Sequence, residues 1–371
     1  MKSLKKYVAF AIAIVVPLAL VANANAANET VTATTNLTAK GGKFYKQAQV
    51  ASELKLRAEV NTPSSSLKVN PMKNVKVTFP NGMTFKPNNS KTPVCPDSKL
   101  SVSSNLSDPS GVVSSCSKSV VGTGTAAIFL AKVNQPTALI GDPILVVFNA
   151  GKNNSGQPKL KIYGYSKTTN VGILMDGTLK AGVLNIAVPV LSNDSAVKYF
   201  ELDLPGGSLK RPDIGVNTRG LDPNYVQAKC ASSPLKTNGV FELGERTYPG
   251  GSDIGPTTTV VSPETTQPCT GLAGKAKLGG VKVKGPNAVK NGRKGVFKVT
   301  VRNNGTATAK KVIVTSNRGG KAKAGNIAPG KAKTVKVKVK IRGKKGKKIA
   351  VKFTAKSGKV KARATKKVRV K

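Results

Sequence analysis

Over most of its length the chain alternates apolar and polar residues with a period of two, and no stretch of comparable length holds a helical period. In its central part the segments 52–60, 74–80, 124–133, 143–151, 159–165, 183–191, 199–205 and 239–248 are short and rich in β-branched or aromatic residues. Gly, Pro, Asn and Asp bound them, so each is predicted to be a strand. The alternation is strictest near the C-terminus. Phe297, Val299 and Val301 point away from Lys298, Thr300 and Arg302, and Val335, Val337, Val339 and Ile341 away from Lys336, Lys338, Lys340 and Arg342. Ile349, Val351, Phe353 and Ala355 repeat the pattern, as do Val360, Ala362 and Ala364 opposite Lys359, Lys361 and Arg363. A strand that buries one face and wets the other belongs in a sandwich. The chain is therefore predicted to be all-β, with a central β-sandwich region followed by a second sandwich at the C-terminus. The central length accommodates one large sandwich or two smaller ones.

The segments outside this pattern suggest an organisation. Residues 1–26 join a basic start (Lys2, Lys5, Lys6) to an apolar run and to small residues at Ala24 and Ala26, which reads as a signal peptide of an exported protein. No later segment reaches the roughly 20 apolar residues of a membrane span, so none is expected in the mature chain. Residues 27–45, rich in Thr and Asn, are expected to be a flexible N-terminal segment ahead of the central region at 46–248. Residues 249–275, rich in Pro, Thr and Gly, read as a linker to a basic domain at 276–371. The cysteines Cys95, Cys116, Cys230 and Cys269 all follow the signal peptide, where an oxidising compartment favours disulfides. Three pairings are open; nearest-neighbour pairing is favoured because each pair then closes a polar, turn-rich segment.

Composition narrows the chemistry. The chain has no histidine, which excludes Ser-His-Asp and Cys-His machinery and imidazole metal ligands. No C-x-x-C spacing exists either, and neither a metal nor a cofactor is expected. Carboxylates remain: Asp142, Asp176, Asp194, Glu201, Asp203 and Asp213 are candidates for a glycosidase-like pair, against the simpler reading of strand-end and turn acids. The GTGTA stretch at 122–126 lacks the Gly-Lys-Ser/Thr ending of a phosphate loop and reads as a strand.

Charge then separates the two regions. Residues 274–371 hold 33 of the 61 Lys and Arg and none of the 16 Asp and Glu; residues 27–273 hold 25 basic residues against all 16 acids. Cations two residues apart on a strand sit about 7 Å from each other, which costs roughly 0.6 kcal/mol per pair in water before screening. Lysine suits an exposed strand face and keeps an exported protein soluble. Solubility alone, though, is served by mixed signs without self-repulsion.

Two resemblances add to this reading. Pro80, Gly82, Phe85, Cys95, Cys116, Gly122, Gly124, Thr125 and Ala126 form a P-x-G-h-x-F turn, two cysteines and a G-x-G-T-A strand that resemble a class of secreted, mostly uncharacterised actinobacterial proteins. That likeness implies architecture and compartment alone. In the basic domain, Asn303 and Gly305 close a strand, Ala309, Val312 and Val314 form the next, and Pro329-Gly330 turns into Val335, Val337 and Val339. This arrangement is similar to the CARDB-type immunoglobulin-like repeats of bacterial surface proteins. The resemblance implies a seven-stranded immunoglobulin-like sandwich and an adhesion-related or spacer role.

The expected function is that of a non-enzymatic surface or matrix protein whose basic sandwich attaches it to anionic envelope polymers or extracellular matrix. The residues expected to do so are Lys336, Lys338, Lys340 and Arg342 on the alternating strand and Lys344, Lys345, Lys347 and Lys348 in the block after it. The alternatives are a carbohydrate-active hydrolase with a carboxylate pair in the central region, and a passive spacer. Sequence-specific nucleic-acid recognition is not expected, because the basic domain's two aromatics, Phe297 and Phe353, both belong to apolar faces.

Overall fold

The computed structural model describes residues 29–63, 69–86, 91–100, 109–130, 138–190, 195–206, 210–217, 225–245 and 257–371. The signal-peptide reading of residues 1–26 and the candidate Asp194 lie outside the described residues. Among them no helix is long and apolar enough to cross a membrane.

The central region is built on twelve main strands: β1 (Thr30–Ala39), β2 (Val50–Asn61), β3 (Met72–Thr78), β4 (Val120–Leu130), β5 (Ile144–Lys152), β6 (Pro158–Ser166), β7 (Val171–Lys180), β8 (Val183–Ala187), β9 (Ser195–Leu204), β10 (Leu235–Leu243), β11 (Thr258–Val261) and β12 (Thr265–Gln267). They form one antiparallel sheet in the order β11-β10-β3-β8-β7-β6-β5-β4-β9-β2, with β1 added to β2 and β12 to β10. This sheet curls back on itself. The free edge of β1 reaches the β12 end, where the Thr265 hydroxyl donates to the Ala33 carbonyl (2.9 Å). The Gln267 side chain both accepts from Leu37 N (2.8 Å) and donates to Leu37 O (2.9 Å), like a neighbouring strand's peptide group. An edge that would otherwise leave backbone groups unpaired is thereby covered. One core fills the enclosed space, from Val31 and Leu37 through Leu56, Val75, Val147, Ile162 and Phe200 to Phe241, so the central sheet closes around one main core as a single sandwich.

Two expectations are corrected here. Of the expected flexible segment 27–45, the described part from residue 29 is mainly strand: β1 pairs with β2 over ten consecutive positions and buries Val31, Ala33, Leu37 and Ala39. Its Thr-rich composition, read as loop, is that of a strand whose β-branched residues occupy the wetter positions. Within the expected linker at 249–275, the described part carries β11 and β12 paired to β10, and Gly271–Leu272 pairs in parallel with Phe44–Tyr45. Strand β7 was also not foreseen.

Strands β5 and β6 are buried on both faces. Leu145, Val147, Leu160 and Ile162 enter the main core, while Val146, Phe148, Tyr163 and Tyr165 pack outward under a cap containing α1 (Pro109–Ser115), Leu100, Ile214 and Val216. Cys95 is bonded to Cys116 inside this cap, and Cys230 to Cys269 near the end of the region. The first bridge closes a loop of 21 residues, for which chain entropy gives about 3 kcal/mol. Replacing Cys95 and Cys116 together by Ala is expected to lower the unfolding free energy of the central region by about that much, measured by denaturant titration.

The glycines of the GTGTA stretch have a backbone explanation. A β-carbon on Gly122 would lie 2.6 Å from the Asp203 carbonyl oxygen, and one on Gly124 would collide with that of Glu201. Strand β4 therefore approaches β9 too closely for side chains at these two positions.

The C-terminal region adds β13 (Leu278–Lys284), β14 (Ala288–Val289), β15 (Lys294–Asn303), β16 (Ala309–Ser316), β17 (Lys321–Ile327), β18 (Ala332–Lys340), β19 (Lys348–Ser357) and β20 (Val360–Val370). Three of them form the sheet β13-β15-β18 and five form β14-β20-β19-β16-β17. The first strand is thus shared: β13 runs antiparallel to β15 in one sheet, and β14 runs parallel to β20 in the other. This is an immunoglobulin-type sandwich of seven full strands plus the two-residue β14. Its own core is formed by Phe297, Val299, Val301, Val337, Val339, Val351 and Phe353 with their neighbours; the two phenylalanine rings lie 5.3 Å apart.

Candidate functional site: two cationic sheet faces

The residues that alternate with the buried ones in the second sandwich are exposed, and register decides which of them meet. Lys298 stands opposite Lys336 on one side and Lys284 on the other, so three lysines form a row across β13, β15 and β18; Lys294 stands opposite Lys340. All five are exposed. Directly opposed residues have β-carbons about 4.5–5.5 Å apart, where like charges destabilise a sheet. The other sheet repeats the arrangement. Lys356 faces Lys361, Lys348 faces Arg369, and Arg363 and Lys367 alternate along β20. Among the described residues every ion pair lies at or before Glu264, in keeping with the acid-free sequence beyond it.

The seven lysines and one arginine expected to act together are not on one face. Lys336, Lys338 and Lys340 lie on the wet face of the three-stranded sheet, and Lys348 opens β19 in the other. Arg342, Lys344, Lys345 and Lys347 line the exposed connection between the two sheets. That connection is ordered: Gly343 N donates to Asn291 Oδ1 (3.2 Å), Gly346 N to Val370 O (2.8 Å) and Val370 N to Lys347 O (2.9 Å). The positions missed were the cross-strand partners Lys284, Lys294 and Lys298 on the first sheet and the cations of β19 and β20 beyond Lys348 on the second. Their alternation was legible, but register between distant strands was not.

The acids of the central region are mostly engaged. Asp142 accepts from Ser166 Oγ (2.7 Å) and from the backbone N–H of Thr168 (2.9 Å). Asp176 pairs with Lys161 (2.6 Å), Asp213 with Arg211 (2.7 Å) and Glu201 with Arg57. Arg57 also binds Glu59 (2.9 Å) and stacks 3.9 Å above the Tyr199 ring. Burial pushes the Glu59 carboxyl up, but hydrogen bonds from Arg57 and Lys198 outweigh it and hold the group below its usual range. Glu201 and Asp203 border a groove of about 390 Å³ on the outside of β1, β2, β4 and β9. Among the described residues no cluster of three His, Cys, Asp or Glu has the geometry to hold a metal ion.

Asp203 is the exception. Its Oδ1 is buried without a hydrogen-bond partner, Lys55 is 3.8 Å from Oδ2, and desolvation together with the Glu53 charge pushes its carboxyl up. A carboxylate with a raised folded pKa costs stability as pH climbs from the unfolded value, about 3.9, through the folded one. Asp203→Asn is therefore expected to raise the melting temperature at pH 7 and to leave it unchanged near pH 3.

No family model matches the chain, and no curated protein matches its sequence. The functional reading accordingly rests on the residues themselves. The feature without a structural purpose is the doubled array of opposed cations: burial, register and turns of the second sandwich would be served equally by Thr, Ser or Glu at the wet positions.

Proposed function

We propose that the protein is an exported, non-catalytic surface or matrix protein whose C-terminal sandwich attaches it electrostatically to an anionic polymer of the cell envelope. The observation that supports this most strongly is the row Lys284–Lys298–Lys336, three like charges in register across three strands of a domain that contains no acid. Such a face carries condensed small anions. A polyanion displaces them, and their release drives binding whose affinity falls steeply with salt. The two disulfides fit an oxidising compartment outside the cytoplasm. The adhesion role implied by the CARDB resemblance agrees with it. A hydrolase fits the central region less well, since Asp142, Asp176, Glu201 and Asp213 each already have a partner.

The test is retention of the full chain on immobilised heparin, a soluble sulfated polysaccharide, across a salt series. If six cations engage with about 0.7 of a counterion released for each, affinity drops about 300-fold between ~50 and ~200 mM salt. A passive spacer would show no retention at ~20 mM salt, and that result would sink the proposal.

A further inference from the structure

The two sheets of the C-terminal sandwich turn their wet faces in opposite directions, and both are cationic. One presents Lys294, Lys298, Lys336, Lys338 and Lys340; the other presents Lys352, Lys356, Lys361, Arg363 and Lys367. Packed sheets stand about 10 Å apart. With extended lysine stems on either side, the two layers of ammonium groups are separated by more than the Debye length at physiological ionic strength, about 8 Å. Each layer is therefore screened from the other and attracts polyanion independently.

We infer that this domain is bivalent: each face takes its own segment of anionic polymer, so that one protein molecule cross-links two chains. The inference rests on the polyanion reading above and extends it to the partner's form. Within a face, cations recur about 7 Å apart along a strand and about 5 Å apart between strands. That grid suits a linear polymer with a charge on each repeating unit, laid along or across the strands. A flat bilayer would cover one face and leave the other in solvent, whereas a network of polymer chains surrounds the domain and uses both. Once one segment is bound, a neighbouring segment meets the free face at raised local concentration, so the protein holds a network more tightly than one face alone would.

The experiment uses the full chain and heparin in two lengths. Calorimetry with oligosaccharides of about ten sugar units, too short to wrap the domain, is expected to give two bound per protein. Long heparin is expected to give light scattering that rises and then falls as protein is added, as a cross-linker does. Replacing these five lysines of the first face and Lys284 by Gln, or these five cations of the second together with Lys348 and Arg369, is expected to leave one oligosaccharide bound and to lower scattering at least ten-fold. Thermal melting of both variants reports that they fold. If wild type binds one oligosaccharide, or if neutralising one face removes all binding, bivalency is overturned while the polyanion reading stands. If wild type binds none at low salt, the polyanion reading falls and takes bivalency with it.

Discussion

Asn303→Ala is expected to unfold the C-terminal sandwich at ambient temperature while leaving the central region intact. Asn303 ends β15 and is fully buried. Its Nδ2 donates to Ala307 O (2.8 Å) and Ile327 O (2.9 Å), and its Oδ1 accepts from Gly305 N (3.0 Å) and Lys277 N (3.2 Å). One side chain thus supplies partners to four backbone groups from three separate segments. Truncation leaves those groups without them, at about 1–3 kcal/mol for each that stays buried. Over four groups the loss comes to about 4–12 kcal/mol, as large as the 5–15 kcal/mol that a small domain has in total. The following Gly305 shares the constraint, because a β-carbon there would lie 2.7 Å from the Ala276 carbonyl carbon. The measurement is calorimetric unfolding of the full chain, in which each of the two cores should melt on its own; the transition of the C-terminal core should vanish in the variant. Asn303→Asp, which keeps the acceptor and loses the donors, should fall between the two. A change below ~1 kcal/mol for Asn303→Ala would mean that water replaces the side chain and that the corner does not organise the fold.

How much of this was legible depends on what kind of information each feature carries. Strands β15, β18, β19 and β20 were readable because nearly every second residue is apolar and most of the intervening ones are charged, which leaves one orientation toward the core. Strand β1 was not, since Thr occupies its wet positions and Thr is shared by strands and loops. Strand β7 contains Asp176-Gly177, a dipeptide that by composition marks a turn. In the structure Gly177 sits inside the strand, with space for a β-carbon only at 3.4 Å from Leu160 and 3.5 Å from Leu184. The outer cap on β5 and β6 is a tertiary feature: Phe148 and Tyr163 look like any buried strand residue, and which core they enter is set by the chain that later covers them. The cationic candidates show the same limit. Alternation placed Lys336, Lys338 and Lys340 on a wet face, but only pairing with β15 set Lys298 and Lys294 against them, and only the turn after Ile341 carried Lys348 to the opposite sheet.

Neutralising Lys294, Lys298, Lys336 and Lys340 together with Gln is expected to raise the melting temperature of the C-terminal core at low salt while weakening polyanion binding. The four residues make the pairs Lys294–Lys340 and Lys298–Lys336, and Lys298 also faces Lys284. At about 5 Å each pair costs up to about 0.8 kcal/mol in unscreened water, so relief of three amounts to about 2 kcal/mol. For a domain of this size that corresponds to a rise of about 10 °C. The gain should be about half as large near 0.15 M salt and nearly absent at 1 M, where the Debye length falls to 3 Å. Wild type should accordingly be stabilised by added salt, and the variant much less. Binding should move the other way: with four fewer counterion-releasing contacts, the slope of log affinity against log salt should shrink by about 3. The opposed signs separate the two explanations of the lysines. If they serve solubility alone, their removal changes stability and leaves polyanion retention as it was. If instead the melting temperature falls, the lysine stems are contributing apolar cover on the sheet that outweighs their repulsion, and the cost on which the polyanion argument depends does not exist. A variant that is more stable and binds less is the result that a face shaped for a charged partner requires, since only binding then accounts for keeping a repulsion that four substitutions remove.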